Sequence, residues 1–167
     1  MRLLAIDPGP VVSAYVVIDV ETRRPVEFAK PENRALLDTL WISREKDFQH
    51  VVIEMIASYG MPVGAEVFDT CVWIGRFAEA ADAIVHCPRP VHLIKRQPVK
   101  VHHCHSAKAK DSNIRQALVD RFAPGQPNHG KGTKAAPGFF YGFHSDIWQA
   151  MALAVYAADT LDTARTA

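Results

Sequence analysis

Two short stretches of this chain, Leu3-Leu4-Ala5-Ile6 and Val51-Val52-Ile53, contain no polar residue, and each runs straight into an acid, Asp7 and Glu54. Successive side chains of a strand point to opposite faces of its sheet, so an all-apolar strand must be covered on both sides. The surrounding sequence supplies the cover. Asp7-Pro8-Gly9-Pro10 turns the first strand into a β-branched run, Val11 to Val20, and Pro25 to Lys30 adds a third strand to an antiparallel meander. Helical spacing starts at Arg34, with Leu36, Leu37, Leu40 and Trp41 in one stripe. His50 to Met55 and Val91 to Ile94 are the fourth and fifth strands, and helices are expected over Glu66–Ala83, Lys108–Phe122 and Asp146–Leu161. In the last of these, Ile147, Met151, Ala154, Val155 and Ala158 form an amphipathic face for a sheet. Residues 57–65 and 123–143, rich in Gly and Pro, read as loops, the second a mobile one. The order β-β-β-α-β-α-β-α-α predicts an α/β domain on a mixed five-stranded sheet, three strands antiparallel and the rest parallel, flanked by helices.

At 167 residues, 49% hydrophobic and 22% charged, the chain has the makings of one soluble domain. No apolar run approaches the roughly 20 residues that cross a bilayer, and Met1-Arg2 leads into a strand rather than a signal sequence, so no membrane partner and a cytoplasmic location are expected. The three cysteines fit a reducing compartment better than a disulfide framework. Net charge is only +1, but it is unevenly spread. Lys95 to Lys134 holds nine Lys and Arg against Asp111 and Asp120, a net of +7, which leaves −6 for the rest and suggests a basic face for a polyanion.

Asp7 and Glu54 end strands, and Asp146 opens the last helix. If the first and fourth strands are neighbours, the first two acids meet at one sheet edge and the third arrives on a helix packed against them. Each like-charge pair would cost on the order of 4 kcal/mol at 4 Å with an effective dielectric of about 20. A divalent cation offsets that cost, and hard carboxylate oxygens suit Mg²⁺, with Mn²⁺ as substitute. Two such ions about 4 Å apart can activate a water and stabilise the leaving oxygen in phosphodiester cleavage. Each acid also has an ordinary role open to it, as turn former, helix cap or strand terminus.

Leu4-Ala5-Ile6-Asp7-Pro8-Gly9, followed by Ala14 to Ile18, resembles the first motif of the RuvC Holliday-junction resolvases of the RNase H-like superfamily. Val52-Ile53-Glu54 is similar to their second acidic motif, and Ser145-Asp146 through Ala150-Met151-Ala152 to their closing helix. The resemblance spans nearly the whole chain, and residues 57–64 and 106–122 look more like the phage-type enzymes. It implies a single RNase H-like nuclease domain over residues 1–167, with Asp7, Glu54 and Asp146 as metal ligands. Lys100 and Lys110 align with the basic residues that RuvC enzymes place near the scissile phosphate. These enzymes usually carry a fourth acid, or a histidine, three residues before the last Asp. Phe143 stands there instead, and His144, one residue on, is the candidate metal ligand or base.

A four-way junction has two strands to cut in symmetry-related positions, which suits a homodimer. The Glu66–Ala83 helix has Val67, Ile74 and Phe77 on one side while Phe68, Cys71, Val72 and Trp73 spread toward another, so one side is free to meet its twin, unless the whole helix is buried. The resemblance implies that Tyr59 or Met61 wedges into the junction centre, a stacking contact worth roughly 1 to 3 kcal/mol. Lys95, Arg96, Lys108, Arg115, Lys131 and Lys134 are expected to grip phosphates, with affinity that falls as salt rises. Two further patterns are decoys. Gly125 to Lys131 reads G-x-x-x-x-G-K but has Gly132 where a P-loop needs Ser or Thr, and it follows a helix. His86, Cys87, His92, His102, His103, Cys104 and His105 are zinc-capable but lack paired C-x₂-C spacing, and on a strand His102 and Cys104 would face away from His103 and His105.

The reading these features favour is a Mg²⁺-dependent endonuclease that resolves Holliday junctions or other branched DNA. The alternatives are an RNase H-like nuclease acting on RNA–DNA hybrid or flap DNA, and a catalytically silent nucleic-acid-binding domain. An actin-like ATPase needs two such domains, for which the chain is too short.

Overall fold

The computed structural model describes residues 1–42, 48–58, 60, 62–83 and 91–161. Five strands, β1 (Arg2–Asp7), β2 (Ala14–Asp19), β3 (Pro25–Ala29), β4 (His50–Met55) and β5 (Val91–Lys95), form one sheet in the order β3-β2-β1-β4-β5. The β1–β2 and β2–β3 pairs are antiparallel, and β1–β4 and β4–β5 are parallel, as the strand order predicts. The helices are α1 (Asn33–Ile42), α2 (Ala65–Asp82), α3 (Arg96–Cys104), α4 (Asp111–Phe122) and α5 (Ile147–Leu161). Among the described residues no helix is long and apolar enough to cross a membrane.

Strand alternation divides the core in two. Leu3, Ala5, Val16, Ile18 and Val52 pack against Ala150, Met151, Leu153 and Ala154 of α5, with Val99 of α3 and Ile114 and Leu118 of α4 behind. Leu4, Ile6, Val17, Val51 and Ile53 pack on the other face against Leu36, Leu37 and Leu40 of α1 and Ile74 and Phe77 of α2. Each large side chain so buried stabilises the fold by about 1.5–3 kcal/mol, so a one-residue slip of either strand would forfeit several of them at once. The alternation also decides where the acids go. Asp7 continues the Leu3–Ala5 series and Glu54 follows Val52, so both project from the face that α5 covers. The parallel register that pairs Ile6 with Ile53 makes Asp7 and Glu54 the next step along neighbouring strands.

Three sequence expectations need correction. Residues 96–104, given no element from sequence apart from the strand geometry assumed for His102 to His105, are helix α3. Pro98 lies in its first turn, where a backbone N–H has no helical acceptor to lose, and His105, in left-handed conformation at φ 54°, ends it. Helix α4 starts at Asp111 rather than Lys108. Residues 123–143 are not a loose loop: Phe140 and Phe143 are fully buried and make edge-on or tilted ring contacts with each other and with Phe28 and Trp148. Gly130, at φ 75°, lets this segment close onto the core, because a Cβ there would lie 2.5 Å from the Ala123 methyl carbon.

Candidate active site

Four carboxylates and two cations gather at the end of the sheet where β1 and β4 finish. Asp7 is the last residue of β1, and the turn after it is held by a small buried network. The Gly9 N–H donates to Ser13 Oγ at 3.2 Å, Ser13 Oγ–H to Asn33 Oδ1 at 2.6 Å, and Asn33 Nδ2 to the Gly9 carbonyl at 2.9 Å. Gly9 has no substitute in this turn, since a Cβ would meet the Val12 carbonyl oxygen at 2.5 Å. Glu54 is the penultimate residue of β4. Asp146 immediately precedes α5, where its carbonyl accepts the Ala150 N–H at 3.0 Å. The fourth acid, Asp111, opens α4, and Arg96 opens α3. Three helix N-termini thus face the paired strand ends, and their positive ends favour nearby carboxylates.

The acids strain one another. Burial, then the charge of Glu54, push the Asp7 carboxyl well above its ordinary range; Arg96 opposes this, while Asp146 and Asp111 add to it. Burial also raises Glu54, against the charge and hydrogen bonding of Arg96; Asp111 adds to the rise and the charge of Lys100 opposes it. Arg96 is the centrepiece: Nη1 donates to both Glu54 oxygens at 3.1 and 3.0 Å, and Nη2 to Asp111 Oδ1 at 2.6 Å. Asp146 has its own cation, Lys30, whose Nζ lies 2.6 Å from Oδ2 and also donates to Ser145 Oγ at 3.3 Å.

The expectation that the three acids stand uncompensated is therefore corrected. Glu54 and Asp146 each hold a side-chain cation, because Arg96 and Lys30 are delivered to the same edge by α3 and β3. As the side chains stand, no group of three His, Cys, Asp or Glu among the described residues could hold a metal ion. The donor set still fits a hard cation in its chemistry: all oxygen, excess negative charge, and in Asp7 a buried acid with no ion-pair partner among the described residues. Asp7, Glu54 and Asp146 are the residues that would hold such an ion, once Glu54 and Asp146 release their present partners.

The other predicted residues fall into groups. His144 is exposed and lines an open cleft of about 410 Å³ together with Asp111, Arg115, Lys131 and Asp146. Phe143, at the usual place of a fourth acid, is turned into the core. Lys100, one turn after Arg96, reaches Glu54 electrostatically. Lys110 is exposed directly before Asp111, with its N–H on Asn113 Oδ1 at 2.9 Å. Lys95, Lys108 and Lys134 are exposed on the surface. Arg96, expected on the phosphate-gripping surface, is engaged inward. Tyr59 and Met61 lie outside the described residues, as do His86 and Cys87. His102 and His103 belong to the packing of α3 on α5: His102 Nε2 meets Asp159 Oδ2 at 2.9 Å and His103 Nε2 the Ala152 carbonyl at 2.9 Å, so neither is free for zinc. Asp111 and Lys30 were not singled out from sequence. An acid in the first turn of a predicted helix is the signal that points to Asp111, whereas Lys30 carried none.

This sheet, with acids on adjacent parallel strand ends facing a long helix, defines an RNase H-like α/β fold. Its particular form is RuvC-like. The structure matches Thermus thermophilus RuvC with a TM-score of 0.68 at 17% identity, over 98% of this chain and 97% of that one. It also matches T. thermophilus RuvC solved in complex with Holliday junction substrate, with a TM-score of 0.69 at 14% identity, over 98% and 96%. No protein-family profile matches the chain, and no curated protein does.

Proposed function

We propose that this protein is a divalent-metal-dependent endonuclease that cuts branched DNA, four-way junctions in particular, as a homodimer. The observation that carries the reading is the placement of Asp7 and Glu54 at adjacent strand ends on the α5 face, with Asp146 and Asp111 at the mouths of the helices packed there. Mg²⁺ or Mn²⁺ held by Asp7, Glu54 and Asp146 would supply charge stabilisation for phosphodiester hydrolysis. Lys100, whose charge reaches Glu54, would neutralise a phosphate oxygen, and Lys110, exposed directly before Asp111, would add to it. His144 borders the cleft next to Asp146, positioned to orient or deprotonate an attacking water. Arg115 and Lys131 give the same cleft the positive charge that draws a DNA backbone into it.

The preference for branched DNA over RNA–DNA hybrid or flaps is supported by the RuvC-like fold. A silent binding domain is favoured by one observation, the Arg96 guanidinium seated on Glu54 and Asp111. The test is purified protein on synthetic four-way junction, duplex and hybrid with Mg²⁺ or Mn²⁺, beside Asp7→Asn and Glu54→Gln. Paired nicks at the junction are expected from the unaltered protein, falling about 100-fold or more in either variant, as loss of several kcal/mol of transition-state stabilisation requires. Junction binding without cutting in either metal would establish the silent reading, and equal cutting of hybrid the RNase H-like one.

A further inference from the structure

We infer that Arg96 is the resident cation of this acid pocket, a guanidinium that holds Glu54 and Asp111 and must be displaced before a divalent ion can load. The inference rests on the metal reading above and goes beyond it, since it makes the ion compete with a side chain of the protein itself. The geometry is that of a clamp. One guanidinium nitrogen spans both Glu54 oxygens at 3.0 and 3.1 Å, and a second takes Asp111 at 2.6 Å. Arg96 is only partly exposed, and as the first residue of α3, with Pro98 following in the same turn, its backbone is fixed on the pocket.

An arginine stays charged at all working pH, so protonation cannot open this clamp. Only a competing cation, or a competing anion for the guanidinium, can. A phosphate is that anion: the planar donor fork that fits a carboxylate fits phosphate equally well. DNA entering the cleft beside Asp111 would draw Arg96 off Glu54 and leave its oxygens free for the ion. Metal and DNA would then each strengthen the binding of the other, as linkage requires.

The experiment is Mn²⁺ binding to DNA-free protein, followed by electron paramagnetic resonance, for the unaltered chain, Arg96→Gln and Arg96→Lys, with circular dichroism to confirm folding. Arg96→Gln should bind Mn²⁺ about tenfold or more tightly than the unaltered chain, the scale set by lost hydrogen bonds between charged groups. Arg96→Lys, which keeps the charge but cannot bridge both acids and is the safer variant to fold, should gain part of that. Junction DNA should tighten Mn²⁺ binding in the unaltered chain and do so less in Arg96→Gln. Equal or weaker Mn²⁺ binding in both variants, with the unaltered chain binding measurably, overturns the inference and leaves the nuclease reading standing. Absence of binding in all three, with or without DNA, overturns both.

Discussion

At the scale of single residues, Asp7 is the acid that the folded chain holds at a cost. Its carboxyl is raised well above the ordinary 3.8 by burial and by Glu54, so the folded state binds its proton more tightly than the unfolded one. Stability contributed by such a group is greatest below the unfolded value and falls as pH rises from there through the folded value. By neutral pH this carboxyl therefore costs the metal-free fold stability, and Asp7→Asn should unfold at a higher temperature than the unaltered chain. That gain should shrink toward zero below about pH 4, where both are uncharged. Thermal unfolding in chelator across that range checks it; a destabilised Asp7→Asn at neutral pH would show that the carboxylate is instead well solvated or paired. Asp7 and Glu54 were legible in the sequence because a charge that ends an all-apolar strand is conspicuous. Arg96 and Lys30 were not, because their meaning depends on which acids they meet, and sequence separates Arg96 from Glu54 by a strand and a helix.

At the scale of elements, the least legible piece was α3. Only Val99 of its nine residues is buried, so it has no apolar stripe to announce it, and its two histidines read as ligands until their partners are seen. What holds it is α5. Asp159 receives Arg121 at 2.5 Å, His102 at 2.9 Å and Arg23 at 3.1 Å, tying α4, α3 and the turn after β2 to one carboxylate. Burial alone would raise Asp159, but hydrogen bonds from Arg121, His102 and Arg23 together with the Arg121 charge bring it down to about 2. A lowered carboxylate contributes stability above its unfolded value, here 3.8, and loses it as pH falls toward 2. The contribution is about 2 kcal/mol, by order of magnitude. Asp159→Asn should lose about that much in denaturant unfolding near neutral pH and almost nothing near pH 2. A loss independent of pH would mean that shape, not charge, holds the three helices. Two cations of the basic stretch are thus paired within the chain, Arg121 with Asp159 and Arg96 with Glu54 and Asp111.

At the scale of the molecule, one apolar face is left uncovered among the described residues. On α2, Thr70, Ile74 and Phe77 turn into the core, while Phe68 and Val72, one turn apart, are 62% and 55% exposed. Gly75 continues the exposed stripe, and Leu93, 51% exposed on the edge strand β5, shares the α2 side of the sheet with Val91. The helix is therefore not wholly buried. Large apolar side chains spaced i, i+4 on an exposed helix face, beside an open sheet edge, lose little by being covered with a second copy of themselves. Cutting both strands of a junction needs two sites, and a two-fold pairing through α2 would set them in fixed relation. Phe68→Glu with Val72→Glu should convert a sedimenting dimer to monomer, weakening association by about 100-fold or more, as the loss of central interface anchors does. The acids at the end of β1 and β4 lie on the opposite, α5, face of the sheet, so the monomer should keep its Mn²⁺ affinity while paired junction nicks give way to single ones. If the unaltered protein sediments as a monomer while still nicking both strands together, or if the double variant remains dimeric, the α2 face has another purpose and the two sites are not coupled through it.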